Sequence, residues 1–223
     1  MPTARRSLAI GVVNGKIYAI GGSHPLYAYQ TTNEEYDPAT DTWTTKTAMP
    51  TGRQGLAIGV VNGKIYAIGG KNGDSSLTTN EMYDPATNTW TTKTAMPNAR
   101  HGLGIGVVDG KICAIGGWND QNLATNEMYD PATDTWTTKA PMPTARTVAI
   151  GAVNGKIYSI SCLNEEYDPV ADSWTTKTPP PTCHGGYLGI GVVNRKIYAI
   201  GGYAQSQGGA LDINEEYNPQ LDP

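Results

Sequence analysis

Long apolar runs are missing from this chain of 223 residues. None approaches the roughly 18 needed to cross a bilayer as a helix, so no membrane span is expected. Runs of like charge are missing too, and a net charge of −4 leaves no basic footprint for a nucleic-acid partner. Cysteine is scarce: Cys113, Cys162 and Cys183 are too few and too irregularly spaced for a disulfide framework or a zinc cluster. A sustained 3.6-residue apolar period is absent, while Gly, Pro, Asn and Asp punctuate the chain every ten residues or so. That pattern is all-β.

Catalytic signatures are absent as well. There is no nucleophile elbow, no H-E-x-x-H and no Walker motif, and "GLGIGVV" (102–108) lacks dinucleotide-loop spacing and leads to a β-turn. No cofactor and no metal are expected. The opening "MPTARRSLAIG" lacks the apolar stretch of a signal peptide. Met1 is nevertheless in register with Met49, Met96 and Met142, so it reads as a residue of an internal repeat. A signal further upstream stays open, and the compartment is not fixed.

What the chain has is repetition. "NGKIYAIGG" occupies 14–22 and returns unchanged at 62–70, then edited at 109–117, 154–162 and 194–202. Aligned on the double glycine, the copies are 40 to 48 residues apart, the spacing of propeller blades or solenoid units. Unit boundaries fall at 1–48, 49–95, 96–141, 142–179 and 180–223, forming one domain. Each unit reads as four strands: "SLAIGVV" (7–13), an Asn-Gly type I′ turn, "KIYAI" (16–20), a variable loop, "NEEY" (33–36), a "DPATD" turn and "TWTTKT" (42–47). Small residues on the first strand (Ala9 and Gly11, Ala57 and Gly59, Gly104 and Gly106) suit the crowded position nearest an axis. The Thr- and Lys-rich fourth strand suits the rim.

Beyond the double glycine, each of the first four units carries a Tyr with a Trp seven positions later: Tyr36/Trp43, Tyr83/Trp90, Tyr129/Trp136 and Tyr167/Trp174. On these residues the chain resembles the Kelch repeat over its whole length. The resemblance implies a β-propeller of five four-stranded blades, the Tyr and Trp packing between neighbours. No Trp follows Tyr217, so the last blade is expected to lack its outer strand. A complete five-bladed ring, a fragment of a larger ring and a strand donated by another chain all stay open. The resemblance implies no single activity, since the family includes adaptors, actin binders and enzymes.

Positions that differ from blade to blade are where a ligand is expected. The loops leaving the second strands differ most, and they share a face with the segments entering each first strand. Arg5, Arg53 and Arg100 stand sixteen residues before the glycine pair, and Arg146 is equivalent after a one-residue deletion. The fifth unit has Gly185 at that spacing, preceded by His184. Two readings compete for these arginines: a ring around the channel mouth for carboxylates, phosphates or acidic peptides, or pairing with the recurring Glu34, Glu81, Glu127, Glu165 and Glu215. In some Kelch adaptors arginines at this repeat position bind acidic peptides, and the resemblance implies the first.

His24, His101 and His184 map to the same face, as do Cys162 and Cys183, where a disulfide is one reading. Trp118, Tyr27, Tyr29, Tyr187 and Tyr203 would line its rim, for sugars or a peptide. The expected function is a non-catalytic scaffold binding a protein segment, a peptide or an acidic ligand at this mouth. The alternatives are an epimerase-like carbohydrate enzyme on the same frame, and a structural module that self-associates through its incomplete last blade.

Overall fold

The computed structural model describes residues 1–26, 28–204 and 208–222. Each of the first four repeats is an antiparallel meander of four strands, paired in the order in which the chain runs. Blade 1 is built from Ala9–Val13, Lys16–Ile20, Asn33–Asp37 and Thr42–Thr45. Blades 2, 3 and 4 begin at Ala57, Gly104 and Ala149 and repeat this pattern. Blade 5 has only Gly189–Val193, Lys196–Ile200 and Asn214–Tyr217, followed by a short 3-10 turn at Pro219–Leu221. The chain is therefore an all-β propeller of five blades whose last blade has three strands and no outer one among the described residues, as the sequence predicts.

The Asn-Gly turns form because both central residues must take positive φ. Asn62 and Gly63 have φ of 50° and 71°. In blade 5 Arg195 holds the glycine position at φ 62°, so the turn survives there with a strained side chain.

Blade-to-blade seams explain the recurring residues. A Cβ on Gly106 would come within 2.8 Å of Ile157 of the next blade, so glycine sets how closely the inner strands approach. Further out, Tyr83, Tyr129 and Tyr167 are fully buried. Trp136 stacks on Tyr129 with ring centroids 5.0 Å apart. Its indole N–H reaches back 2.8 Å to the Thr94 carbonyl of the preceding blade. Burying each such large side chain contributes about 1.5–3 kcal/mol.

The double glycine serves the same seams. Gly70 N–H donates to the Arg100 carbonyl of the next blade at 3.0 Å. Gly69 has φ 63°, and a Cβ there would lie 2.6 Å from that oxygen. Blade 4 has Ser161-Cys162 instead, and there a Cys162–Cys183 disulfide ties blade 4 to the segment entering blade 5. A covalent link replaces a hydrogen bond where the glycine pair is lost.

One seam is different. The first and last blades are not packed on each other as the others are. Ile10 and Val12 of blade 1 are 65% and 57% exposed. On blade 5 Ile200 is 51% exposed, whereas its counterparts Ile20, Ile68 and Ile115 are at 0%. Nothing lies within 4 Å of a Cβ added to Gly191. The propeller thus presents two uncovered apolar faces.

Candidate functional site

The variable segments read as loops in the sequence are partly ordered two-stranded ribbons. Lys71–Asn72 pairs with Ser75–Ser76 and Trp118–Asn119 with Gln121–Asn122, and similar ribbons run at Ser23–His24 and Tyr203–Ala204. Isolated bridges join them to the residue after each arginine: Arg6 to Ser23, Gln54 to Lys71 and His101 to Trp118. Variable residues from two segments are thereby held side by side at the channel mouth.

The arginines themselves turn inward. Arg5, Arg53 and Arg100 have 0% of their side chains exposed, and Arg146 has 11%. Arg53 donates to Glu81 at 2.6 Å and to the Ala67 carbonyl at 2.9 Å. Arg5 repeats this with Glu34 and Ala19, Arg100 with Glu127 and Ala114, and Arg146 with Glu165 and Ser159. Burial pulls the Arg53 and Arg100 guanidinium groups below their usual range, opposed by the paired glutamates. Of the two readings open in the sequence, this geometry matches pairing within the blade, and it leaves the first three guanidinium groups no solvent-facing surface.

Spacing alone also misplaces the fifth member. His184, not Gly185, takes the arginine's position: its ring nitrogens lie 3.0 Å from Glu215 and 2.6 Å from the Gly201 carbonyl, and its side chain is fully buried.

Around the mouth all five blades enclose a cavity of about 570 Å³. Of the residues named from sequence, His101, Trp118 and Tyr187 line it. Trp118 is 40% exposed, and Tyr187 is 94% exposed on a backbone of φ 62°. Tyr203 flanks it, its N–H bonded to the Gly186 carbonyl at 2.8 Å. His24 and Tyr29 lie apart in the first ribbon, where His24 accepts from the Leu26 N–H and Tyr29 donates to the Gly73 carbonyl. Tyr27 lies outside the described residues. Cys113 is buried in the third seam, and burial pushes its thiol up to about 12.

Gln54, Lys71 and Thr147 also line the cavity and were not singled out by sequence. The signal was available: they are the residues that change immediately after the arginine or the double glycine. Among the described residues no carboxylate lines the cavity. Lys71 has no ion-pair partner among the described residues, whereas the second-strand lysines of all five blades do. His101 is held below the ordinary histidine range by burial and then by Lys71, with one ring nitrogen 3.0 Å from Ser76 Oγ.

The sequence profile of the KLHDC2/KLHL20/DRC7 Kelch-repeats domain matches residues 1–160. The chain belongs to the Kelch-repeat family. This Kelch propeller also superimposes on the solved structure of YjhT with a TM-score of 0.78 at 21% identity, covering 93% of this chain and 76% of that one. That likeness is one of fold. No curated protein matches the chain. Kelch domains commonly act as protein-interaction scaffolds and typically bind proteins. No helix of the propeller is long and apolar enough to cross a membrane among the described residues.

Proposed function

We propose that this Kelch propeller is a non-catalytic scaffold whose mouth cavity holds an acidic segment of a partner protein. The observation that carries this reading is a cavity with no carboxylate and no ion-pair partner for Lys71 among the described residues, where Lys71 stands beside His101 and the exposed rings of Trp118 and Tyr187. An anion there meets one fixed cation and one recruitable one, in surroundings where a charge-assisted bond is stronger than in water. The aromatic rings add stacking and apolar area. In this reading the inward-turned arginines act through the scaffold, fixing the segments that carry Gln54 and His101. The test is an array of acidic, neutral and basic peptides together with a glycan panel. Selective capture of acidic peptides, lost in Lys71→Ala and Trp118→Ala, supports the reading. Capture without charge preference, or of glycans alone, overturns it.

We further propose that the two uncovered faces are covered by a second copy of the chain, head to tail. Ile10 and Val12 are the residue types that Ile58 and Val60 present to blade 1, and Val193, Tyr198 and Ile200 repeat Val13, Tyr18 and Ile20. A copy of blade 5 therefore offers blade 1 the contacts that every internal seam already uses. Light scattering should show association that Ile10→Asp and Val193→Asp abolish. A wild-type monomer at every concentration overturns this.

A further inference from the structure

The four packed seams are internal copies of one another, and the seam between blades 4 and 5 departs from the rest in more than its disulfide. Each of the first three seams is plugged by a methionine: Met49, Met96 and Met142 are 1–2% exposed and belong to the three core clusters. Their methyl carbons lie 3.2–3.4 Å from where a Cβ on Gly21, Gly69 or Gly116 would stand. Aligning "TAMPTGR" (47–53) with "TPPPTCH" (178–184) puts Pro180 where the methionine belongs. A proline ring is too short to reach the seam, and the fourth core cluster contains no methionine. A cleft of about 240 Å³ opens there instead, walled by Ile160, Ile197, Ala199, Tyr217 and the three prolines.

The same alignment shows a second vacancy beside it. In blades 1 to 4 a guanidinium spans a glutamate and a strand carbonyl, as Arg53 does with Glu81 and Ala67. In blade 5 the shorter His184 reaches Glu215 and the Gly201 carbonyl, so among the described residues no side-chain donor takes the Ala199 carbonyl. Glu215 and Ala199 both line the cleft. Glu215 takes the His184 ring and the Thr182 N–H on the same oxygen, Oε2, which leaves Oε1 for a further donor, whereas Glu216 is engaged by Lys196 through Oε1 and by Tyr198 through Oε2.

We infer that this cleft binds a small organic cation, an amine or guanidine carrying a compact apolar body. The cationic head takes the acceptor pair of Glu215 and the Ala199 carbonyl, which in four blades holds an internal guanidinium. The apolar body takes the space that methionine fills in three seams. A buried cation needs a charged partner and an apolar body needs dry walls, and the cleft supplies both.

The test is an amide-resolved NMR titration of the whole chain with benzylamine, benzyl alcohol and phenylacetate. Benzylamine should shift the amides of 197–199 and 215–217 saturably, binding about tenfold tighter than benzyl alcohol, with no saturation by phenylacetate. Pro180→Met restores the residue of the other seams and should abolish binding. Glu215→Gln should keep the apolar contact and erase the preference for the amine. No saturable shift, equal binding of benzyl alcohol, or unchanged binding in Pro180→Met overturns the inference.

Discussion

Arg53 and Glu81 meet at 2.6 Å with 0% and 3% of their side chains exposed. The pair joins the segment entering blade 2 to that blade's third strand, and it recurs in blades 1, 3 and 4. Removing one partner of a buried pair strands the other charge, at a cost of about 3–5 kcal/mol. Arg53→Ala should lower unfolding stability by that amount in urea titration. A loss below about 1 kcal/mol would show that Glu81 is not committed to Arg53.

Asp134 makes a different seam sensitive to acid. Its carboxylate accepts from Tyr129 in its own blade and from the Thr94 N–H, at 2.9 Å, in the blade before. Burial pushes its pKa up, but these hydrogen bonds outweigh burial and hold it below the usual 3.8. The Tyr167 hydrogen bond leads in holding Asp172 down likewise. With folded pKa values depressed, the unfolded chain binds more protons as the pH falls. The stability they add is full above about pH 5 and is lost as pH drops through 3.8 and below. Blade 2 uses Asn88 at this position, so Asp134→Asn with Asp172→Asn should fold and melt with a shallower acid dependence. An unchanged slope between about pH 5 and 3 would place the acid sensitivity elsewhere.

The blade was legible in the sequence because its signals are local: an Asn-Gly turn, a two-residue alternation, a Tyr and Trp that must be covered. The direction of a long side chain is not local. Spacing put Arg53 and Arg100 at the mouth but could not say that they fold back onto Glu81 and Glu127. The histidine that replaces them was hidden by a one-residue shift, which displaced the alignment from His184 to Gly185. Lys71 was legible only as a residue that changes immediately after the double glycine; that no carboxylate lies in reach depends on the fold. The uncovered faces of blades 1 and 5 were invisible because Ile10 and Ile200 have the same neighbours in sequence as the buried isoleucines between them.

Cys162 and Cys183 are 21 residues apart, a loop whose closure in the unfolded chain is worth about 3 kcal/mol in the chain-entropy model. Cys162→Ser should lose about 2–4 kcal/mol. Hydrogen exchange should rise first in blade 5, which is held from one side only. Unchanged exchange at 189–217 would show that the bridge adds nothing to that seam.

Ile115 and Ile200 occupy equivalent positions at 0% and 51% exposure. Ile115→Ala should cost about 2–5 kcal/mol and Ile200→Ala, in dilute solution, under about 1 kcal/mol. If a second copy covers this face, the Ile200→Ala cost should grow with protein concentration. Equal costs at the lowest concentration would contradict an open face.

The central claim, that the mouth recognises anions through Lys71 and His101, is tested most directly by calorimetric titration of an acidic, aromatic-containing peptide across pH. Burial, and then Lys71, hold His101 below the ordinary histidine range and so favour its neutral form in the free protein. A carboxylate beside it raises that pKa, so binding takes up a proton and affinity must rise as the pH is lowered from 7 toward about 5.5. The account predicts that rise in the wild type, its disappearance in His101→Gln, and about a tenfold loss at every pH in Lys71→Ala. An affinity indifferent to pH and to Lys71 would contradict it.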